Sequence, residues 1–298
     1  MKRFAGIDGA RPLAAISDPL SDDQAQGHAP LTGTSAMETG AAVFVHYGNR
    51  AAAERFEQFI RNRWPRWRVI AVDTASVETP HLNRAFEFSG YRHGIEVASR
   101  DAIPGQTLRV LLCNDTIFTA HDWNYVRSVT STLQNLTVTG RAIIGCAEQT
   151  PLDTPTACTQ YFPTFLFAVQ GTAEELLSLR MHDGVFDNAQ AWEPIWRSLP
   201  AAYRQCVDRW LKPTSFLKGW YQAIPGRPLP SETLFRKRFA IFQEHTLVGR
   251  ARDSGFAIVD LCVGHPWLKL GRLLDRIRGN LRKWHFRLAS VLNPRPHL

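Results

Sequence analysis

The sequence has few cysteines and no long apolar run. It has five cysteines, and an odd number of them indicates reduced thiols instead of a set of disulfides. No two of them form a Cys-x-x-Cys pair, so the usual spacing of a zinc site is missing. No stretch approaches the roughly 18 apolar residues that span a bilayer. The opening segment, MKRFAGIDGARPLAAISDPLSDD, has no continuous apolar part, which argues against a secretory signal. We therefore expect a cytoplasmic protein without a transmembrane helix.

Acidic residues are almost absent from residues 266–298. This segment has eight Lys and Arg residues and one acidic residue, Asp275, so it carries a net charge of +7 out of +8 for the chain. The rest of the chain is close to neutral, which argues against a broad surface for nucleic-acid phosphates. With 44% apolar and 21% charged residues, the chain has the composition of a globular protein with an ample core.

Hydrophobic patterns divide the chain into three parts. Residues 1–40 are rich in Gly, Ala, Ser, Asp and Pro without periodicity, which predicts a flexible leader. Over residues 41–264, apolar strands such as AAVFVHYG and RWRVIAVD alternate with amphipathic helices such as Arg50–Arg63, which predicts an α/β sheet flanked by helices. Residues 265–298 form a basic amphipathic tail. We also predict a polar loop over Phe86–Gly90, before a helix over Tyr91–Arg100, and a helical region over 191–210.

Two predicted strands end on carboxylates, Asp73 and Asp115. In open α/β sheets, ligands bind beyond the carboxyl ends of the strands. Two such carboxylates suit an enzyme that uses a nucleotide-sugar, because one can contact the ribose or base while the other faces the diphosphate, directly or through Mg²⁺ or Mn²⁺. Alternatively, Asn114 and Asp115 cap the next helix or form an Asx turn.

The first strand is followed by His46-Tyr47-Gly48-Asn49. Tyr47 could stack on a nucleotide base, and Gly48 would allow the backbone to approach the ligand closely. The alternative is that Gly48 serves only to turn the chain.

The chain contains four short blocks, NRAFEFSGYRHGIEVA, RVLLCNDTIF, TACTQYFPTFLFAV and ETLFRKRFAIFQEHTLVGRARDSGFAIVDL. Over Val43 to Leu261 these blocks and their order resemble rhamnan-synthesis-type glycosyltransferases of bacterial polysaccharide assembly. The resemblance implies a GT-A-like, Rossmann-type sheet and transfer of a hexose or deoxyhexose from a nucleotide-sugar. The implied acceptor is a growing surface glycan (O-antigen, capsule or similar), free or linked to a lipid, at the inner membrane face.

This sequence departs from the GT-A pattern at its metal motif. The usual Asp-x-Asp is replaced by Asn114-Asp115-Thr116, which leaves Asp115 as the one candidate metal ligand for Mg²⁺ or Mn²⁺. The alternative function is therefore a non-catalytic, glycosyltransferase-like component of a polysaccharide-assembly complex. Within the first block, the resemblance also implies that the donor site is lined by Asn83, Glu87, Ser89 and Gly90. Glu87 could equally hold the loop through backbone hydrogen bonds.

An inverting transfer requires a carboxylate that deprotonates the acceptor hydroxyl. The candidates are Glu244, Glu148 and Asp187. Glu244 follows three cations on one predicted helix, and these could neutralise the leaving diphosphate: Arg236, Lys237 and Arg238. Alternatively, Glu244 pairs with Arg238 or Arg250 on a solvated helix face, and Glu148 is an ordinary residue at a strand end.

Aromatic residues between 192 and 221 could form a platform for the sugar. At helical spacing, Trp192 and Trp196 are more often core residues than ligand contacts. Trp210 is a further candidate, while Trp220 and Tyr221 lie in a predicted Gly- and Pro-flanked loop and are better placed to contact the acceptor.

The tail has an apolar stripe at helical spacing: Leu270, Leu273, Leu274, Ile277, Leu281, Trp284 and Leu288. Basic residues occupy the other faces, and Trp267 and Trp284 suit a membrane interface. This pattern is typical of a helix that lies on an anionic membrane surface, here through residues 266–291. The alternatives are that the stripe packs on the protein itself or on a partner subunit.

Overall fold

Strands and helices alternate along the chain, as the patterns predict. The computed structural model describes residues 40–76, 78, 85–119, 121–149, 160–184, 189–215, 219–220 and 223–292, which belong to a single compact unit. The predictions for the leader before Gly40 and for Asn83, Asp187 and Tyr221 lie outside the described residues.

The strands are β1 (Gly40–His46), β2 (Arg68–Asp73), β3 (Leu108–Asn114), β4 (Ala142–Gly145), β5 (Glu148–Gln149), β6 (Gln160–Tyr161), β7 (Leu166–Gly171) and β8 (Ala257–Asp260). The helices are α1 (Arg50–Arg63), α2 (Glu87–Arg100), α3 (Thr116–Thr119), α4 (Trp123–Asn135), α5 (Ala173–Ser178), α6 (Ala189–Ser198), α7 (Ala201–Leu211), α8 (Ser231–Asp253), α9 (Leu261–Gly264) and α10 (Pro266–Leu292).

Six of the strands form one sheet in the order β2-β1-β3-β7-β4-β8. Strand β7 is antiparallel to both of its neighbours, and the other pairings are parallel. Strands β5 and β6 form a separate antiparallel pair, in which Glu148 is opposite Tyr161. The prediction of an α/β sheet flanked by helices is confirmed at this level.

Side-chain alternation along β1 supplies a core on each face of the sheet. Val43 and Val45 belong to the core shared with α2 and α8, whereas Ala42 and Phe44 belong to the core shared with α1 and α4. Every residue of β1 is buried, as expected for a central strand covered on both faces.

Two glycines allow α2 to lie very close to β1. A Cβ on Gly94 would lie 2.2 Å from Val43 Cγ1, and a Cβ on Gly90 would lie 2.8 Å from Val45 Cγ2. Because Gly90 packs near the carboxyl end of β1, the N-terminus of α2 is placed at that edge of the sheet. Glu87, the first residue of α2, is thereby brought to the region where a ligand of such a sheet binds.

One predicted boundary is wrong. Phe86–Gly90 is not a loop, because α2 begins at Glu87 and the Ser89 hydroxyl accepts a hydrogen bond from Ala85 N–H at 2.9 Å. The chain turns sharply before this helix, with Phe86 at a φ of 54°. The predicted helical region over 191–210 is confirmed; it consists of two helices, α6 and α7, which are separated at Leu199-Pro200.

The C-terminal helix α10 packs on the rest of the protein through its polar face. Leu268, Arg272 and Asp275 are buried, and Asp275 accepts a hydrogen bond from the Asp122 backbone N–H at the start of α4. Within the described residues, no helix combines the length and the hydropathy needed to cross a bilayer.

Candidate functional site

The carboxyl ends of β1 and β3 form a topological switch point. From β1 the chain first adds β2 on one side and then β3 on the other, so the connections leave the sheet in opposite directions. The two strands end at His46 and Asn114, and Asp115 N–H continues the ladder by donating to Val45 O at 3.1 Å. Ligands of open α/β sheets bind in the crevice at such a point.

Asp73 holds the turn that follows β1. Its Oδ1 accepts hydrogen bonds from the backbone N–H groups of Gly48 and Ala75, both at 3.0 Å. Gly48 has a φ of 74°, a conformation that glycine adopts without strain. The Tyr47 ring is exposed, and its hydroxyl donates to Glu87 Oε2 at 3.2 Å. The structure therefore connects the loop after β1 to the start of α2.

Asn114 and Asp115 occupy different environments. Asn114 Oδ1 accepts a hydrogen bond from Thr116 N–H at 3.1 Å, which is the Asx turn that the sequence offered as an alternative. Asn114 and Thr116 both line a cleft described below. Asp115 is partly buried and does not line that cleft. Burial raises the pKa of the Asp115 carboxyl, opposed by the backbone N–H of Tyr47 and the positive charge of Lys237.

A cleft of about 520 Å³ adjoins this crevice and gathers three of the predicted acids. Glu87, Glu148 and Glu244 all line it, contributed by α2, β5 and α8. The opposite wall is formed by α10. Asn114 and Thr116, at the carboxyl end of β3, also line the cleft, so it reaches the crevice at the strand ends.

Glu244 is held by Thr164 at the centre of these acids. Its Oε1 accepts from Thr164 N–H at 2.8 Å and from Thr164 Oγ1 at 3.2 Å, and the same hydroxyl lies 3.3 Å from Glu87 Oε1. Burial raises the pKa of Glu244 to about 7; the Thr164 N–H opposes this effect, and the negative charges of Glu87 and Glu148 add to it. A carboxyl with that pKa can both accept and release a proton at neutral pH.

Glu148 has the opposite electrostatic environment. Burial by itself would raise the pKa of Glu148, but Arg272, Tyr161 and Arg276 outweigh it and hold the pKa below its usual range. Tyr161 Oη donates to Glu148 Oε2 at 2.7 Å, Arg276 lies 3.2 Å from Oε1, and Arg272 pairs with the same oxygen. Within the cleft, the pKa of Glu148 is thus lowered while that of Glu244 is raised to about 7, the separation expected of groups with different chemical tasks.

Of the three predicted cations on α8, Lys237 alone lines the cleft. Its Nζ lies 4.9 Å from the centroid of the Trp220 ring. Arg236 pairs with Glu232 along the helix.

Arg238 lies outside the cleft. It forms two hydrogen bonds with Asp208, at 2.8 and 2.7 Å, and covers the Trp196 ring. Arg250 pairs with Asp183 instead of Glu244. The alternative in which Glu244 pairs with Arg238 or Arg250 is therefore wrong, and the geometry gives Arg238 a structural contact between α7 and α8.

The remaining predicted residues divide between core and cleft. Trp192 and Trp196 are buried in the core, as expected from their spacing, whereas Trp210 and Trp220 line the cleft. Ser89 shapes the start of α2, and Gly90 permits the close packing of that helix on β1. Neither Ser89 nor Gly90 lines the cleft.

Sequence reasoning missed several residues of the cleft. Thr164 orients Glu244, Tyr161 donates to Glu148, and Arg272 and Arg276 were assigned to the tail alone. The Pro163-Thr164 pair lies within one of the four blocks and could have drawn attention to Thr164. The arginines gave no such signal, since their partner Glu148 is more than a hundred residues away in sequence.

Asp115 is the one residue that the sequence offers as a metal ligand. Among the residues that the structure describes, no group of three His, Cys, Asp or Glu side chains is arranged to hold a metal ion. The residues around Asp115 thus do not fit a divalent cation held by the protein alone.

Comparison with known proteins gives no match. No family model fits the chain, and no curated protein and no solved structure is significantly similar to it. Its function must therefore be argued from the geometry of the cleft and from the four sequence blocks.

Proposed function

We propose that the protein is a glycosyltransferase that moves a hexosyl or deoxyhexosyl group from a nucleotide-sugar to a growing bacterial surface glycan. The observation that carries this proposal is Glu244, whose pKa is raised to about 7 in a cleft contiguous with the crevice at the ends of β1 and β3. A base with that pKa beside a nucleotide-type crevice is what an inverting transfer needs. As part of this proposal, the observed six-stranded sheet is a GT-A-like sheet.

In this proposal the donor lies at the switch point. The exposed Tyr47 ring stacks on the base, and the backbone turn at Gly48, fixed by Asp73, permits close approach of the nucleotide. Lys237, the α8 cation that lines the cleft, neutralises the diphosphate as it leaves. We derive no step through a metal ion, because the residues around Asp115 do not fit one.

The acceptor lies in the cleft. Its hydroxyl gives its proton to the Glu244 carboxylate while its oxygen attacks the anomeric carbon, and the bond from that carbon to the diphosphate oxygen breaks. Thr164 fixes the orientation of Glu244 during the transfer. Glu148 stays ionised and paired with Arg272, so its charge favours the proton on Glu244. Trp210, which is 41% exposed, offers a ring face for the sugar.

We further propose that the transfer takes place at the inner face of the membrane, with the protein bound peripherally through residues 266–291. The support is that the apolar stripe of α10 is exposed from Trp267 to Trp284, the part of it whose burial the structure describes. The charge of residues 266–298 suits an anionic lipid surface.

The test is a thermal-shift panel of UDP-, GDP- and dTDP-sugars, with and without Mn²⁺, followed by an assay of nucleoside diphosphate release. We expect one nucleotide-sugar to raise the Tm of the wild type, and Lys237→Gln to weaken that shift. Glu244→Gln should bind the donor but lose turnover by about 10²–10⁴-fold, the usual contribution of a general base. Arg238→Gln is the matched control, a neighbouring charge removal outside the cleft, and should keep the nucleotide shift.

The second candidate function is a non-catalytic member of a polysaccharide-assembly complex. The feature that favours it is the single Asp115 in place of a paired metal motif. If no nucleotide-sugar raises the Tm with or without Mn²⁺, this candidate replaces the transferase.

A further inference from the structure

Helix α10 presents two different surfaces along its length. Its polar face, with Arg272 and Asp275, is buried against the protein, and its apolar stripe faces away. The exposed members of the stripe are Trp267, Leu270, Leu273, Leu274, Ile277, Leu281 and Trp284. Because successive helical residues advance by about 100°, these side chains fall on one arc opposite Arg272 and Asp275. A stripe of this length is larger than isolated surface apolar residues and indicates an interaction surface.

The charged side chains that α10 places at the borders of its stripe are all basic, and two of them also pair with acids of the protein body, Arg276 with Glu148 and Arg278 with Asp122. Lys269 and Arg276 lie along one border, and Arg278 and Arg282 along the other, by the same helical spacing. The single acidic residue of α10, Asp275, is buried on the opposite side, where it lies 2.9 Å from His121 Nδ1. An apolar surface edged by cations and free of exposed carboxylates is complementary to an anionic bilayer, in which basic side chains reach the headgroups.

One border of the stripe is also a wall of the candidate cleft. Arg276 and Asn280 lie on the same border as Lys269 and line the cleft, and Arg276 reaches Glu148 Oε1 at 3.2 Å while its side chain is 57% exposed. Lys269, two turns earlier on the same border, does not line the cleft. At Arg276 and Asn280 the lining of the cleft therefore reaches the edge of the surface that would contact lipid.

We infer that α10 binds an anionic bilayer through its apolar stripe and that Arg276 binds the phosphate of a lipid-linked acceptor lying in that bilayer. This inference rests on the proposed transferase function for the role of the acceptor. A guanidinium at the border has several N–H donors, so some can bind a phosphate at headgroup level while others remain directed to the cleft. Binding of the phosphate would hold the next part of the acceptor, its sugar, beside Glu244.

The test uses the full chain and flotation with phosphatidylcholine vesicles. One set contains phosphatidylglycerol, and the other contains a long-chain prenyl monophosphate at matched surface charge. The variants are Leu273→Glu/Ile277→Glu, which places charge on the stripe, Arg276→Gln, and Lys269→Gln as the matched control on the same border. All of these side chains are exposed, so circular dichroism should show an unchanged fold.

We expect the stripe variant to lose binding to both vesicles by at least about a hundredfold, because charges replace two apolar side chains that the bilayer would bury. Arg276→Gln and Lys269→Gln should each weaken binding to phosphatidylglycerol about fivefold, the contribution of one cation near the surface. On prenyl phosphate vesicles, Arg276→Gln should lose roughly tenfold more than Lys269→Gln, because it also loses a charge-assisted hydrogen bond.

Three results would overturn the inference. Equal losses for Arg276→Gln and Lys269→Gln on both vesicles would show that only bulk charge matters. Wild-type protein that binds no vesicle but forms a dimer, which the stripe variant breaks, would assign the stripe to a second copy. Soluble glycerol phosphate that competes as well as the lipid would show a site for free phosphate. The vesicle assay contains no donor, so a failed nucleotide panel with these lipid results would reject the transferase and keep the lipid site.

Discussion

Replacing Glu244 by glutamine should make the protein more stable at high pH, although it removes the proposed catalytic base. The pKa of Glu244 is raised from its ordinary 4.5 to about 7 by burial, with the charges of Glu87 and Glu148 adding to the effect. The folded protein therefore disfavours the ionised carboxylate that the unfolded chain readily forms. Glutamine keeps an oxygen that can accept from Thr164 N–H and from its hydroxyl, but it carries no charge.

The sign and size follow from linkage. Below about pH 4.5 the carboxyl is protonated in both states and adds no pH-dependent cost, whereas above pH 7 it is ionised in both and the full cost is present. The difference between the pKa of Glu244 in the folded protein and its ordinary value corresponds to at most about 3 kcal/mol, at about 1.4 kcal/mol per pKa unit. Glu244→Gln should thus raise the free energy of unfolding by up to about 3 kcal/mol near pH 8 and change it little near pH 4.

Urea denaturation of the wild type and of Glu244→Gln, at several pH values between these limits, measures the difference. Other titrating groups cancel in the comparison because both proteins contain them. A Glu244 that served only as a structural hydrogen-bond or ion-pair partner would give a variant that is less stable at every pH. That result, or a difference independent of pH, would refute the reasoning about its environment. Nucleoside diphosphate release measured on the same samples would show whether the gain in stability accompanies a loss of turnover.

Three further changes test the surrounding structure. Gly94→Ala should lower the free energy of unfolding by about 1–3 kcal/mol in urea, because its Cβ would overlap Val43; an unchanged midpoint would contradict the close packing of α2. Arg238→Gln should lower the free energy of unfolding by about 1–3 kcal/mol, because it loses two charge-assisted hydrogen bonds to Asp208. Its nucleotide affinity, measured by calorimetry, should stay unchanged. A weaker nucleotide affinity would show that Arg238 belongs to the donor site. Burial lowers the pKa of His245 to about 4, so the free energy of unfolding of the wild type should fall by up to about 3 kcal/mol as the pH falls from 6.5 through 4. His245→Gln should reduce this loss of stability in acid. Parallel curves of stability against pH for the two proteins would argue against a buried neutral imidazole.

The elements that the sequence predicts best are those with strong local signals. Helix α1 runs over Arg50–Arg63 as predicted, because Asn49 caps it by accepting from Ala52 N–H at 3.1 Å and an apolar face fixes its extent. The start of α2 was mispredicted because Ser89 and Gly90 are typical of loops. In the structure Gly90 lets α2 pack closely on Val45. Because Val45 is distant in sequence, this contact leaves no local sequence pattern.

The candidate site shows the same division. The residues at the ends of β1 and β3 could be predicted, since strand ends and their side chains are local features and the rule for open sheets brings them together. The convergence of Glu87, Glu148 and Glu244 could not, because they come from α2, β5 and α8. The raised pKa of Glu244 depends on this convergence and on burial, neither of which a single sequence segment specifies.

The orientation of α10 is the clearest case in which packing excludes a sequence alternative, the one in which the stripe packs on the protein itself. An amphipathic helix normally buries its apolar stripe, yet α10 buries Arg272 and Asp275. Burying charged groups is unfavourable unless each finds a partner, and here Arg272 meets Glu148 while Asp275 meets His121 and the Asp122 N–H. The protein body thus offers α10 a polar surface, and the stripe remains exposed to water. Such exposure is costly in water, and contact with a bilayer would make it favourable, so the partners of Arg272 and Asp275 leave the stripe free for the lipid contact that we propose.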